Sequence, residues 1–167
     1  MDSNHEHVID ASGFRKNVGI IVCNEARRVV WCKRYGQEAW QFPQGGFHPN
    51  ETDEQALFRE LKEETGLDQD HVDILTYTKD WLHYKLPQRL VRKHSMPKCI
   101  GQKQRWFLLK LKTDESNICL NQSDNPEFDN WRWVDYWHPL EEVVAFKRKV
   151  YEKALKEFEP FLFSTLH

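Results

Sequence analysis

Residues 45–67 read GGFHPNETDEQALFRELKEETGL, and this stretch decides the architecture. Its second half carries the signals of one helix. Thr52 with Gln55 three residues later forms a capping box, and Asp53 and Glu54 put negative charge at the positive end of the helix dipole. Gly66 supplies a left-handed stop, so the spacing predicts a helix over 53–65. Glu60, Glu63 and Glu64 then stand at i, i+3 and i+4, on one face within roughly 100° of arc. Leu57, Phe58 and Leu61 point toward a core, while Ala56 falls on the acidic face and leaves room for an ion. Like charges at this spacing cost about 0.2–0.5 kcal/mol per pair when exposed, and more when partly buried. A bare acidic run is more often a solvated face. The glycine loop, Glu51 and Arg59 beside this one point instead to a bound cation, and oxygen-only ligands favour Mg²⁺ or Mn²⁺ over Zn²⁺.

Working outward, 18–23 and 28–34 read as strands joined into a hairpin by the turn Asn24-Glu25-Ala26-Arg27. A short strand at 40–42 ends at Pro43, and a loop follows through Gly45, Gly46, Pro49 and Asn50. Segments 71–79, 81–84, 104–112 and 131–136 are rich in β-branched and aromatic residues and read as strands. Apolar residues recur at helical spacing over 140–158, giving a closing helix broken near Phe146. This order predicts an α+β fold, a mixed β-sheet with helices packed on it, rather than a doubly wound parallel sheet.

A chain of 167 residues with 40% hydrophobic content and seven tryptophans is long and apolar enough for one cored domain. The net charge of −2 says nothing about partners, but its distribution does. Residues 51–73 carry a formal −7 and residues 79–110 a formal +8, as suits an enzyme that gathers cations in one place and polyanions in another. The basic block reads equally as an RNA track or a solvated face. Cys23, Cys32, Cys99 and Cys119 lack metal-finger spacing and read as small apolar strand residues of a reduced protein. Residues 1–12 are polar and acidic and read as a flexible N-terminal extension rather than a signal peptide, leaving the domain at 13–160. The longest apolar run, 18–23, is too short to span a bilayer; a cytoplasmic protein with no membrane partner is expected.

The quoted stretch also resembles the signature box of the Nudix hydrolases, G-x5-E-x7-R-E-U-x-E-E-x-G-U with U a bulky apolar residue. Gly45, Glu51, Arg59, Glu60, Leu61, Glu63, Glu64, Gly66 and Leu67 meet every fixed position. The resemblance implies the Nudix fold, a mixed sheet sandwiched between helices (α/β/α). It implies phosphoanhydride hydrolysis, with Glu60, Glu63, Glu64 and the Gly45 carbonyl as metal ligands and Glu51 pairing Arg59. Arg59, Glu60 and Glu64 fall in its catalytic set.

Further segments are similar to the bacterial RNA pyrophosphohydrolases of that family, among them WQFPQGG (40–46), YKLP (84–87), GQKQ (101–104), PEF (126–128), WRWV (131–134) and FKR (146–148). The subfamily resemblance implies removal of pyrophosphate from 5′-triphosphorylated RNA, leaving a 5′-monophosphate and promoting mRNA decay, with RNA rather than DNA as partner. Relatives sharing the WQ-x-PQGG segment cleave dinucleoside polyphosphates, which is the alternative substrate. A Nudix-fold RNA-binding module without hydrolysis is the reading from another class, and the intact box argues against it.

The same resemblance assigns Arg15, Arg34, Tyr84, Phe146, Lys147, Gln41 and Gln44 to substrate, and Glu127 to the metals as fourth ligand or base. Their chemistry fits. Guanidinium forks match phosphate oxygens, and an aromatic beside a cation suits single-stranded RNA. Ala39 replaces a serine common in relatives, and Asn50 replaces a glycine where asparagine tolerates positive φ.

Overall fold

A computed structural model describes residues 8–92 and 98–163. Eight strands form one mixed sheet: β1 (Phe14–Cys23), β2 (Val29–Arg34), β3 (Trp40–Gln41), β4 (Gln44–Gly46), β5 (Val72–Tyr77), β6 (Leu82–Lys85), β7 (Gly101–Leu111) and β8 (Phe128–Val134). Among the described residues the α-helices are α1 (Asp53–Thr65), α2 (Pro139–Glu142) and α3 (Arg148–Phe163). The parallel pair β1 and β7 runs in register from Phe14↔Gly101 to Cys23↔Lys110 and forms the spine. β7 pairs antiparallel with β5 and β6, and β2 pairs antiparallel with β8 and β3.

Alternation along the spine separates two cores. Val18, Ile20, Val22, Phe107 and Leu109 pack against Ala56, Leu57 and Leu61 of α1. On the opposite face Ile21, Trp106 and Leu108 meet Val150, Tyr151, Ala154, Leu155 and Phe158 of α3. The helix–sheet–helix sandwich is the arrangement expected from the box.

Four expectations are corrected. The 18–34 hairpin holds at the single pair Cys23↔Val29 before its strands diverge. The edge of β1 is taken instead by the 43–46 segment, through Ile20 N–H to the Pro43 carbonyl and the pairs Asn17↔Gly46 to Gly19↔Gln44. Gly45 and Gly46, read as loop, therefore lie in strand β4; two glycines conceal the period-two pattern that marks a strand. Ala56 is sealed in the apolar core and opens no space beside the glutamates. Cys99 and Cys119 are half-buried in loops, whereas Cys23 and Cys32 are buried strand residues. The break near Phe146 is present as a single 3-10 turn, Ala145–Lys147, after extended backbone at Val143 and Val144.

Residues 1–7 of the expected N-terminal extension lie outside the described residues. Val8 is buried in the α1-side core, Ile9 bridges to Arg15, and Asp10 pairs with Lys103 at 2.9 Å. Among the described residues no helix is long and apolar enough to cross a membrane.

Candidate active site

Helix α1 is fixed at both ends as its sequence predicts. Thr52 Oγ1 accepts from Gln55 N–H at 3.2 Å, and Gln55 Oε1 accepts from Thr52 N–H at 3.0 Å. Gly66 takes φ 76° at the stop, and a Cβ there would press on the Cys119 backbone. Asn50, with φ 65°, carries the loop into the helix in the left-handed conformation that asparagine tolerates.

Arg59 then ties the loop to the helix. Its Nε and Nη2 donate to Glu51 Oε2 and Oε1 at 2.7 and 2.9 Å, Nη2 also donates to the Gly46 carbonyl at 2.7 Å, and Nη1 donates to Glu60 Oε1 at 2.7 Å. These bonds hold the Glu51 carboxyl below the usual carboxylate range. Burial opposes the charge on Arg59, but its bonds to Glu51 and Glu60 prevail and push its pKa up. Arg59 is thus a clamp behind the site rather than a group lining it.

The clamp sets β4 against the acids. A Cβ on Gly45 would fall on the Glu60 carboxyl, so any larger residue there must push that carboxyl away from its bond with Arg59. Glu60 and Glu64 are buried within hydrogen-bonding reach of each other, whereas the Glu63 side chain is 51% exposed. Burial, then the nearby charges of Glu60 and Glu127, push the Glu64 carboxyl well above its ordinary range. Glu64 accepts from the Gln44 backbone N–H, while its Oε2 is buried without a partner.

Cations share the site with the acids. Glu60, Glu63, Glu64, Glu127, Gly45, Gly46, Gln41 and Gln44 share one cavity of about 450 Å³ with Arg15, Arg34 and Lys147. A register shift between Lys33 and Arg34 re-aims the end of β2, a device strand pattern cannot reveal. Lys147 is buried and donates to Gln41 Oε1 at 3.3 Å. Burial, then the Arg34 charge, lower its pKa to about 8. Gln41 is positioned by the aromatic cluster behind it, where Phe42 lies 5.1 Å from Trp31 and 5.7 Å from Trp106, and its N–H donates to Tyr151 at 3.0 Å.

Two expected substrate residues do not line this cavity. Tyr84 is buried, its hydroxyl accepting from Gln44 Nε2 at 3.1 Å, and burial raises its pKa to about 12. Phe146 packs on it with ring centroids 5.8 Å apart, so the two rings back Gln44 and Lys147 from behind. Asn17, Ser123 and Asn125 do line the cavity and were missed by sequence reasoning.

The Asn17 amide has its orientation fixed by a buried relay. The Trp106 indole can only donate, and it donates to Gln104 Oε1 at 3.0 Å. Gln104 Nε2 must then donate, and it meets Asn17 Oδ1 at 2.8 Å. The Asn17 Nδ2 donor is left for the cavity. The available signal was an amide side chain in each of two strands, Asn17 in β1 and Gln104 in β7, which the structure shows to be direct cross-strand partners.

The residues fit a divalent cation. An orphaned buried carboxylate oxygen, a backbone strand pressed on a second carboxylate and two further acids make an oxygen-rich, electron-rich wall. Among the described residues no three acid, histidine or cysteine side chains close into a cage; Arg59 holds one Glu60 oxygen, and the Glu63 side chain is half-exposed. Mg²⁺ characteristically takes one or two carboxylates and completes its shell with water and phosphate oxygens.

Comparison with known proteins places this geometry in context. Residues 13–158 match the NUDIX domain family. An RNA pyrophosphohydrolase of Shewanella sediminis is 60% identical over 153 residues, covering 92% of this chain and 89% of that protein. One of Pseudomonas putida is 59% identical over 155 residues, covering 93% and 98%. Among solved structures, the E. coli dihydroneopterin triphosphate pyrophosphohydrolase superposes with a TM-score of 0.65 at 20% identity, over 85% of this chain and 95% of its own. A C. elegans Ap4A hydrolase in a binary complex superposes at 0.62 with 22% identity, over 88% and 96%. Identities this low speak to the fold alone.

Proposed function

The chain belongs to the Nudix family, and from that premise we propose that it is a divalent-cation-dependent RNA pyrophosphohydrolase acting on 5′-triphosphorylated RNA. The observation that carries this reading is the two-signed cavity, with Glu60, Glu63, Glu64 and Glu127 sharing about 450 Å³ with Arg15, Arg34 and Lys147. A triphosphate needs both walls. The relatives named above at about 60% identity supply the substrate class.

Glu60 and Glu64, with Glu63, Glu127 and the Gly45 carbonyl at the rim, would hold Mg²⁺ or Mn²⁺. When bound, such a cation neutralises phosphate charge and acidifies a coordinated water. Arg15, Arg34 and Lys147 bind the triphosphate and offset the charge that builds on the leaving pyrophosphate. Gln41 positions Lys147, and Gln44 is braced by Tyr84. Either Glu64 or Glu127, the two carboxylates placed for it, takes the one proton of the attacking water. Water adds across the bond between the α and β phosphates, giving monophosphorylated RNA and pyrophosphate. Such an enzyme would work in the cytoplasm, where its RNA is.

Pyrophosphate release from 5′-triphosphorylated RNA, with and without Mg²⁺ and in competition with a diadenosine polyphosphate, tests the proposal. A higher kcat/KM for the dinucleotide would move the chain to the other substrate class. The oriented Asn17 donor makes a second expectation. Asn17→Asp keeps the acceptor for Gln104 but turns a carboxylate oxygen toward the phosphates, so KM should rise about tenfold or more. Asn17→Ser should lose less, and an unchanged KM in the aspartate variant would remove Asn17 from the site.

Lys147 predicts the alkaline limb. Its pKa near 8 means the ammonium is present at neutral pH and lost as pH rises past about 8, so kcat/KM should fall there. Lys147→Arg keeps its charge at all these pH values and should flatten that limb. A limb that persists in the arginine variant would assign it to another group.

A further inference from the structure

The basic block at 79–110 is sorted by the sheet. In the pairs Lys16↔Lys103 and His83↔Lys103, residues side by side on neighbouring strands share a face, as do Lys85, Gly101 and Phe14 in the next row. Trp81 and Arg105 continue the same face, their contact putting the guanidinium 4.7 Å from the indole centroid. The Lys16 and Lys103 ammonium groups lie 5.3 and 5.8 Å from that ring, and Lys16 also lies 4.9 Å from the Phe47 ring. Phe47 and Trp81 pack at 5.9 Å, so the two rings form an apolar floor that holds three cations upright.

Like charges on neighbouring strands repel, and this face gathers four cations against two acids. Asp10 pairs with Lys103 and Asp53 with Arg105, but among the described residues Lys16 and Lys85 have no carboxylate partner. His83 and Lys85 are exposed. Arg15 and Gly46 line the cavity, and alternation turns their chain neighbours Lys16 and Phe47 to the other face of the β1–β4 pair, so the platform begins just across that strand pair from the cavity.

We propose that the Lys16–Lys85–Lys103 face, floored by Trp81 and Phe47, is the track for the RNA chain leading away from the 5′-triphosphate, recognised through its phosphodiester charges. This rests on the reading of the cavity as a 5′-triphosphate site. The platform reads charge, not base sequence, so it should add affinity in proportion to the number of phosphates it reaches. A substrate too short to leave the cavity gains nothing from it.

The test compares the protein with its Lys16→Gln, Lys85→Glu and doubly substituted variants. Binding of two labelled 5′-triphosphorylated RNAs, one a dinucleotide and one about twelve nucleotides long, is measured by anisotropy without divalent cation. The double variant should bind the longer RNA about tenfold more weakly and the dinucleotide unchanged. Its log Kd against log salt slope should lose about 1.4 for two phosphate contacts on a single strand. Equal weakening of both RNAs, or of neither, overturns the track. Mg²⁺-dependent hydrolysis of the dinucleotide is followed separately: its absence in every variant and in the parent would overturn the cavity's assignment, while the binding comparison still decides the track. Parent-like dinucleotide turnover in the variants shows that they fold.

Discussion

Glu64→Gln is expected to abolish pyrophosphate release, by about 10³-fold or more in kcat, while leaving the fold intact. The glutamine keeps the shape and the bond from the Gln44 backbone but removes the negative oxygen now buried without a partner. The stability readout separates a lost site from a lost fold. Burial and the Glu60 and Glu127 charges raise the Glu64 pKa in the folded protein. A group raised in this way stabilises fully below its unfolded value and loses that contribution as pH rises through the folded one. Without divalent cation, the variant should therefore melt at or above the parent's Tm at neutral pH. The parent should gain on it as the pH is lowered. Mg²⁺ should raise the parent's Tm and leave the variant's nearly unchanged. Parent-like turnover in the variant would sink the assignment of Glu64.

Arg59→Ala should be the most destabilising change near the site, by about 3 kcal/mol, because it strands Glu51 and Glu60 without their counter-charge. The Arg59 side chain is only 18% exposed, so solvent recovers little of that. A loss of this size lowers Tm by roughly 6–12 °C in a domain this large. Activity should fall by about 10²-fold as well, since the Gly46 carbonyl is released and β4 shifts against the acids. Lysine restores the charge without the fork and should recover part of the stability alone. The acid limb carries a second signature. The Glu51 pKa is depressed, so its stabilisation is present above its ordinary value near 4.5 and lost as pH falls through the folded value. Arg59→Ala should flatten that limb, and a variant that unfolds in acid like the parent would show that Glu51 is held by something else.

Helix α1 was legible from end to end because all of its determinants are local. Thr52, Gln55 and Gly66 act within four residues of the backbone groups they satisfy, and the three glutamates follow helical spacing. Strands β1, β2 and β7 were legible from their runs of buried β-branched and aromatic residues. Strand β4 was not, because Gly45 and Gly46 carry no side-chain pattern and their pairing is decided by β1. The depth of each glutamate was likewise hidden. Helical spacing puts Glu60, Glu63 and Glu64 on one arc, but only contact with β4 and Arg59 buries two of them and leaves Glu63 exposed.

The substrate wall shows the same division. Positions 15, 34, 41, 44 and 147 were assigned to substrate by the family resemblance, their residue types being compatible with phosphate, and the fold gathers them from β1, β2, β3, β4 and the turn before α3. The same resemblance assigned Tyr84 and Phe146, yet they stand behind that wall, and Asn17 enters it through a relay of two further buried side chains. The sequence by itself determined the acidic helix, its caps and the identity of the acids, since those depend on residue type and spacing along one element, and the resemblance of that element to the Nudix box implied the class of bond to be cut. Which of the acids is buried, which amide faces the phosphates and which lysines form a platform beside them were decided only in the tertiary structure. Burial, donor direction and proximity are properties of pairs of elements brought together across the sheet, and no single element's sequence contains them.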